Sequence, residues 1–199
     1  AQESRGLGDV YKRQMYMSSS YTKTRIMVEC ALMIALGTIL ANIKIYELPN
    51  GGSLTPAMFP IILFAVRWGL TPGLMAGFTF GLLQLIFDGA YAWGWQSMLL
   101  DYLVAFMALG MAELFARPFK NRMVGVAVGT AVAGFLRFMC SFLSGVLVWG
   151  NLSDGLSAWT YSLVYNASYM LPETLITVVG AVLLIRVAPQ IFDRQYAKA

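Results

Sequence analysis

Residues 137–149 read RFMCSFLSGVLVW. Within this apolar segment Arg137, Ser141, Gly145 and Trp149 recur at every fourth position, so on a helix they form one stripe. A charge, a hydroxyl, a position without a side chain and a flat aromatic are a poor set to present to lipid tails. The stripe reads as one wall of a ligand site in a helical membrane protein, and the rest of the chain has to supply the opposing wall.

The composition supports a membrane setting. Of 199 residues, 58% are hydrophobic and 12% are charged, about half the charged share of a soluble domain. Apolar runs separated by short polar breaks cover residues 22–43, 56–66, 70–87, 97–115, 123–149 and 159–187. Most are close to the roughly 20 residues a helix needs to cross about 30 Å of hydrocarbon. The expected fold is all-α: a polytopic membrane protein with six transmembrane helices, forming a single substrate-binding domain over residues 15–199. Residues 1–14, AQESRGLGDVYKRQ, have a different composition and lack the apolar core of a signal peptide. They resemble translated adapter sequence and are expected to be a non-native or disordered extension.

Charge gives the sidedness. With residues 1–14 left out, alternate faces of the six runs collect Lys23, Arg25, Arg67, Arg117, Lys120, Arg122, Arg186, Arg194 and Lys198 on one side and Lys44 alone on the other. The positive-inside rule then places both termini in the cytoplasm. The net charge of +4 is explained by these topology signals, and no basic face for nucleic acid remains. With no His, and with Cys30 and Cys140 both inside apolar runs, the usual zinc and Ser-His-Asp or Cys-His sites cannot be assembled. The chain is expected not to be an enzyme. An intramembrane aspartyl protease built on Asp88 and Asp101 is the alternative from a different class, but neither acid sits in a catalytic motif.

In this topology Asp101, Ser141, Gly145 and Asn166 share a depth in the outer half of the bundle, with Trp149 at the rim. Tyr161 and Tyr165 lie four apart on the sixth run, followed at helical spacing by Tyr169 or Met170 and by Glu173. Asp101 has two readings, a helix cap or a site residue, because a carboxylate within a membrane calls for a cavity or a partner. Arg137 and Glu173 read as a buried structural pair, each supplying the other's counter-charge. Trp149 has a second reading as an interfacial anchor. One acid, an amide, a hydroxyl and several aromatics suit a small, flat, cationic heteroaromatic ligand. Ala31 and Ala35, four apart with Gly37 nearby, permit close helix approach, either within this bundle or to another membrane protein. The break NIKIYELPNGGSLT could fold back over the membrane as a lid.

Five strings, GGSLTPAMFPI, RWGLTPG, LLDYLVAF, RFMCSFLSGVLVWG and YSLVYNASYMLPE, occur in order and resemble the thiamin-specific substrate-capture subunit (S component) of energy-coupling factor (ECF) transporters. The resemblance covers residues 21–186. It implies a six-helix fold in a prokaryotic cell membrane that binds thiamin near the outer face, with no cofactor. It also implies a transmembrane coupling subunit and two cytosolic ATPase subunits as partners. By position, Asp101 stands where the family has an acid near the ligand, with Tyr102 beside it. Trp149 matches the stacking aromatic, Tyr161 and Asn166 its hydrogen-bonding pair, and Ala31 and Ala35 the docking motif for the coupling subunit. Ser141 departs from the pattern, since the family often has His there. Thr55 and Tyr91 fall at outer-loop positions that could close over the site. The same architecture with a thiamin precursor or another vitamin as ligand is the near alternative.

Overall fold

The computed structural model describes residues 2–49, 51–88, 94–148 and 157–192, with side chains from residue 21 onward. In chain order the elements are α1 (Gln2–Ala41), β1 (Tyr46–Glu47), β2 (Ser53–Leu54), α2 (Met58–Trp68), α3 (Leu70–Asp88), α4 (Gly94–Ser97), a π-helical segment (Met98–Val104), α5 (Ala105–Leu109), α6 (Ala112–Ala116), α7 (Arg122–Val148) and α8 (Ala158–Val187), followed by a 3-10 turn (Pro189–Phe192). The protein is a helical membrane protein, as its sequence predicts. The departure from an all-α chain is the antiparallel pairing of β1 with β2, Tyr46 opposite Leu54 and Glu47 opposite Ser53. The stretch read as a non-native or disordered extension, residues 1–14, enters α1 from Gln2 onward. Gln, Glu, Leu, Lys and Arg in that stretch have fair helix propensity.

Among the described residues four helices are long and apolar enough to cross a membrane: Tyr21–Ala41 of α1, α3, α7 and α8. The expected second run forms α2, an eleven-residue helix about 16 Å long. Nine of its residues are buried, on every side, so it is the centre of the core rather than a lipid-facing element. It joins α3 through Gly69 alone, whose φ of 94° is open to glycine at no steric cost. The expected fourth run begins earlier, at Gly94, and is broken: a π segment holds Asp101 and Tyr102, and Gly110 and Met111 interrupt the helix before α6.

Close backbone approach explains that irregular unit's position. Gly73, Gly77 and Gly81 follow one face of α3, and a Cβ at these positions would run into the carbonyl oxygens of Gly110, Phe106 and Tyr102, respectively. Small residues let the two backbones touch where lipid gives no hydrophobic drive for association. At the opposite end of the bundle from the ribbon, Arg122 donates to the carbonyls of Val66 (2.8 Å) and Phe192 (3.0 Å) and to Glu113 (3.0 Å). Arg67 donates to the Ile191 carbonyl at 2.9 Å and pairs with Glu29 at 2.9 Å. Trp68 donates its indole N–H to the same Glu29 at 2.7 Å, so α1, α2, α6, α7 and the final turn share one polar clamp.

Gly77→Ala places a methyl group against the Phe106 carbonyl and is expected to cost about 1–3 kcal/mol by overpacking. The check is a lowered midpoint of thermal unfolding in detergent, with Met75→Ala, at an exposed position of the same helix, close to wild type. Equal midpoints for Gly77→Ala and wild type would contradict the seam.

Candidate functional site

At the ribbon end of the bundle a cavity opens between α3, the π segment, α7 and α8. Its lining includes Thr55, Asp101, Tyr102, Ser141, Gly145, Tyr161 and Asn166, so the structure brings together seven of the nine residues expected at a ligand site. The other two, Tyr91 and Trp149, lie outside the described residues.

The site acid is fixed by its neighbours. Asp101 Oδ2 accepts from the Ser97 hydroxyl at 2.7 Å and from the Ser144 hydroxyl at 2.5 Å. Hydroxyl bonds to an ionised carboxylate are short and strong for their type. Tyr102 turns its hydroxyl to the Asp88 carbonyl at 3.0 Å, tying the π segment to the end of α3. A π-helical turn inside an α-helical run is uncommon and is found mostly at functional sites.

On α8 the residues at 161, 165 and 169 are all tyrosine, and all three line the cavity. Tyr161 and Tyr165 stack at 5.9 Å between centroids, and Tyr165 meets Tyr169 edge-on at 5.9 Å. Of the two residues open at this point of the helical pattern, Tyr169 belongs to the cavity and Met170 to the core. Asn166 is buried and stitches α8 to α7. Its amide nitrogen donates to the Ser162 carbonyl (2.9 Å), the Ser162 hydroxyl (3.2 Å) and the Ser141 carbonyl (3.3 Å), and its oxygen accepts from Tyr169 at 3.1 Å. The amide expected to meet a ligand is thus already engaged within the protein. Gly145 lets α8 come close, since a Cβ there would strike the Ser162 side chain and crowd the Asn166 amide.

Arg137 and Glu173 form the expected buried pair, 2.6 Å apart. Arg137 is also part of the cavity wall, as its place on the stripe of α7 suggests. Its guanidinium lies 4.7 Å from the Phe106 ring centroid, a cation–π arrangement. The Thr55 hydroxyl donates to the second Glu173 oxygen at 3.3 Å.

The break between α1 and α2 folds over this cavity. Gly51, Gly52 and Ser53 line it, and the Gly52 N–H donates to the Tyr165 hydroxyl at 3.0 Å. Gln84 and Asp88 of α3 complete the lining, and neither was expected there. Asp88, one residue past the apolar run 70–87, ends α3 because the helix runs one residue beyond that run. The spacing Gly77, Gly81, Gln84, Asp88 puts the close-packing glycines and both polar groups on one face, a signal the apolar run hid. Ala31 and Ala35 are exposed on the outer side of α1, away from the cavity and from the bundle. Among the described residues no cluster of His, Cys, Asp and Glu could hold a metal ion.

Comparison with known proteins gives a consistent picture. The family model described as "Thiamine transporter protein (Thia_YuaJ)" matches residues 27–193. Thiamine transporter ThiT of Bacillus subtilis (strain 168) is 33% identical over 183 residues, covering 86% of this chain and 95% of that protein. ThiT of Lacticaseibacillus paracasei is 32% identical over 190 residues, covering 87% of this chain and 93% of that protein. Among solved structures, ThiT from Listeria monocytogenes aligns with a TM-score of 0.77 at 24% identity, over 86% of this chain and 98% of that one. The S component of a bacterial ECF transporter aligns at 0.61 and 14% identity, over 86% and 99%. Both structural likenesses are to helical membrane proteins.

Removing one member of a buried ion pair strands the other, at about 3–5 kcal/mol, whereas replacing both is close to neutral. Glu173→Leu is therefore expected to lower thermal stability in detergent strongly, and Arg137→Met/Glu173→Leu to recover most of the loss. A double variant no more stable than the single one would contradict the pairing. By the extent of the family match and the identity to its curated relatives, the chain belongs to the thiamine transporter protein family Thia_YuaJ.

Proposed function

We propose that this chain is the substrate-binding membrane subunit of an ECF-type importer, capturing thiamin in the cavity beneath the ribbon. It is a transport subunit and not an enzyme, so thiamin is its substrate rather than a cofactor. The observation that carries the reading is the pairing of a fixed carboxylate, Asp101, with the tyrosine ladder of α8 in one cavity. Thiamin carries a permanent positive charge on a flat heteroaromatic ring. An aromatic face and a carboxylate answer both features. The charges agree: Asp88 and Asp101 are acidic lining groups, while Arg137 is neutralised by Glu173.

In this reading Asp101 is the counter-ion, with Tyr102 beside it. Ser141 and Gly145 form the α7 wall, Tyr161 supplies an aromatic face, and Asn166 holds that face against α7. Thr55 belongs to the roof, with Trp149 and Tyr91 as rim residues. The bundle crosses the cell membrane six times, with α2 and the α4–α6 unit as its shorter crossings, and both termini lie in the cytoplasm. Residues 15–199 form the transmembrane domain, and residues 1–14 stand outside it. The exposed Ala31 and Ala35 face a transmembrane coupling subunit, and two cytosolic ATPase subunits supply the energy.

Thiamin added to the purified protein should quench Trp fluorescence saturably. Asp101→Ala should weaken binding by about ten- to a hundredfold, the worth of a charged hydrogen bond. A neutral aminopyrimidine precursor, lacking the cationic ring, should compete at least about tenfold less well. Equal affinity for wild type and Asp101→Ala would contradict the site, and a precursor that outcompetes thiamin would contradict the ligand.

A further inference from the structure

Two serines outside the residues expected at the site stand out for what their hydroxyls do. Ser97 and Ser144 are 1% and 0% exposed, and a buried hydroxyl needs a partner. In an apolar helix the nearest partner is a carbonyl one turn back. Thr38 donates to the carbonyl of Ile34, Ser168 to that of Tyr165 and Thr177 to that of Glu173. Ser97 and Ser144 instead reach the same oxygen, Oδ2, of Asp101. Ser97 does so from one turn earlier on the same helical unit, and Ser144 from α7.

We infer that Ser97 and Ser144 are positioning residues: they anchor Asp101 through Oδ2 and so leave Oδ1 as the oxygen that receives the ligand. The inference rests on the thiamin-binding reading of the cavity. An untethered Asp101 would have a competing cation, because Arg137 lines the same cavity and acts on it electrostatically. Two donors on Oδ2, from two different elements, hold the carboxylate in place while Glu173 occupies Arg137. Ser144 also fixes the distance between the π segment and α7, so the acid and the α7 wall move as one unit.

The test is a double-mutant cycle on the full chain in detergent, with thiamin affinity measured by calorimetry for wild type, Ser144→Ala, Asp101→Ala and the double variant, and repeated with Ser97→Ala. Serine removal should weaken thiamin binding by about tenfold or more when Asp101 is present. In the Asp101→Ala background, where no carboxylate remains to position, it should change affinity by no more than about twofold. The Asp101→Ala background separates positioning from loss of fold, because a serine change that merely loosened the bundle would weaken binding equally in both backgrounds. Equal losses in both backgrounds would overturn the inference, as would wild-type affinity in both serine variants. Absence of thiamin binding by the wild-type chain would overturn the functional reading itself, and that outcome is distinct from either of these.

Discussion

Two carboxylates, Asp101 and Glu173, sit within an apolar bundle, and the rest of the structure depends on how each is partnered. An ionised group at membrane depth is costly unless it has a partner or faces a water-filled cavity. Glu173 receives a guanidinium and a hydroxyl, from Arg137 and Thr55. Asp101 receives two hydroxyls and no salt bridge among the described residues. The difference divides their work. Glu173 is paired with a cation and ties the ribbon end of the chain to α7 and α8, whereas Asp101 is held in the cavity wall by hydroxyls.

Holding a charge there requires rigid walls, and the walls come from backbone contact more than from large side chains. Gly73, Gly77 and Gly81 bring α3 onto the carbonyls of the broken fourth helical unit, and Gly145 lets α8 close on α7. Between these seams lies α2, buried on every side and clamped at its end by Arg122 and, through Glu29, by Arg67 and Trp68. The ribbon over the cavity is held by the Gly52 backbone N–H on the Tyr165 hydroxyl and by Thr55 on Glu173. The roof therefore rests on Tyr165, which lines the ligand space, and on Glu173, which holds Arg137 of the cavity wall.

Much of this was legible in the sequence because helical spacing and charge are local properties. The stripe from Arg137 to Gly145 and the tyrosines of α8 follow from counting residues on one helix face, and the pairing of Arg137 with Glu173 follows from the need of each buried charge for a counter-charge. What escaped depends on relations between elements. Gln84 and Asp88 sit in and at the end of an apolar run, and they enter the cavity only because the glycines on their face bring α3 against the π segment. Asn166 reads as a free amide, but its donors are engaged because Gly145 brings Ser162 and the Ser141 carbonyl into reach. The π segment itself leaves no pattern in side-chain type, so nothing in LLDYLV marks the place where the helix widens.

The central claim is that Asp101 and the tyrosine ladder of α8 hold one cationic heteroaromatic ligand between them. The most direct test is an experimental structure of the thiamin-loaded chain. The account predicts ligand density between the ladder and the π segment, with a donor of the ligand on Asp101 Oδ1 and Oδ2 still held by Ser97 and Ser144. Thiamin bound elsewhere, or bound in the cavity with Asp101 turned away from it onto Arg137, would contradict the account.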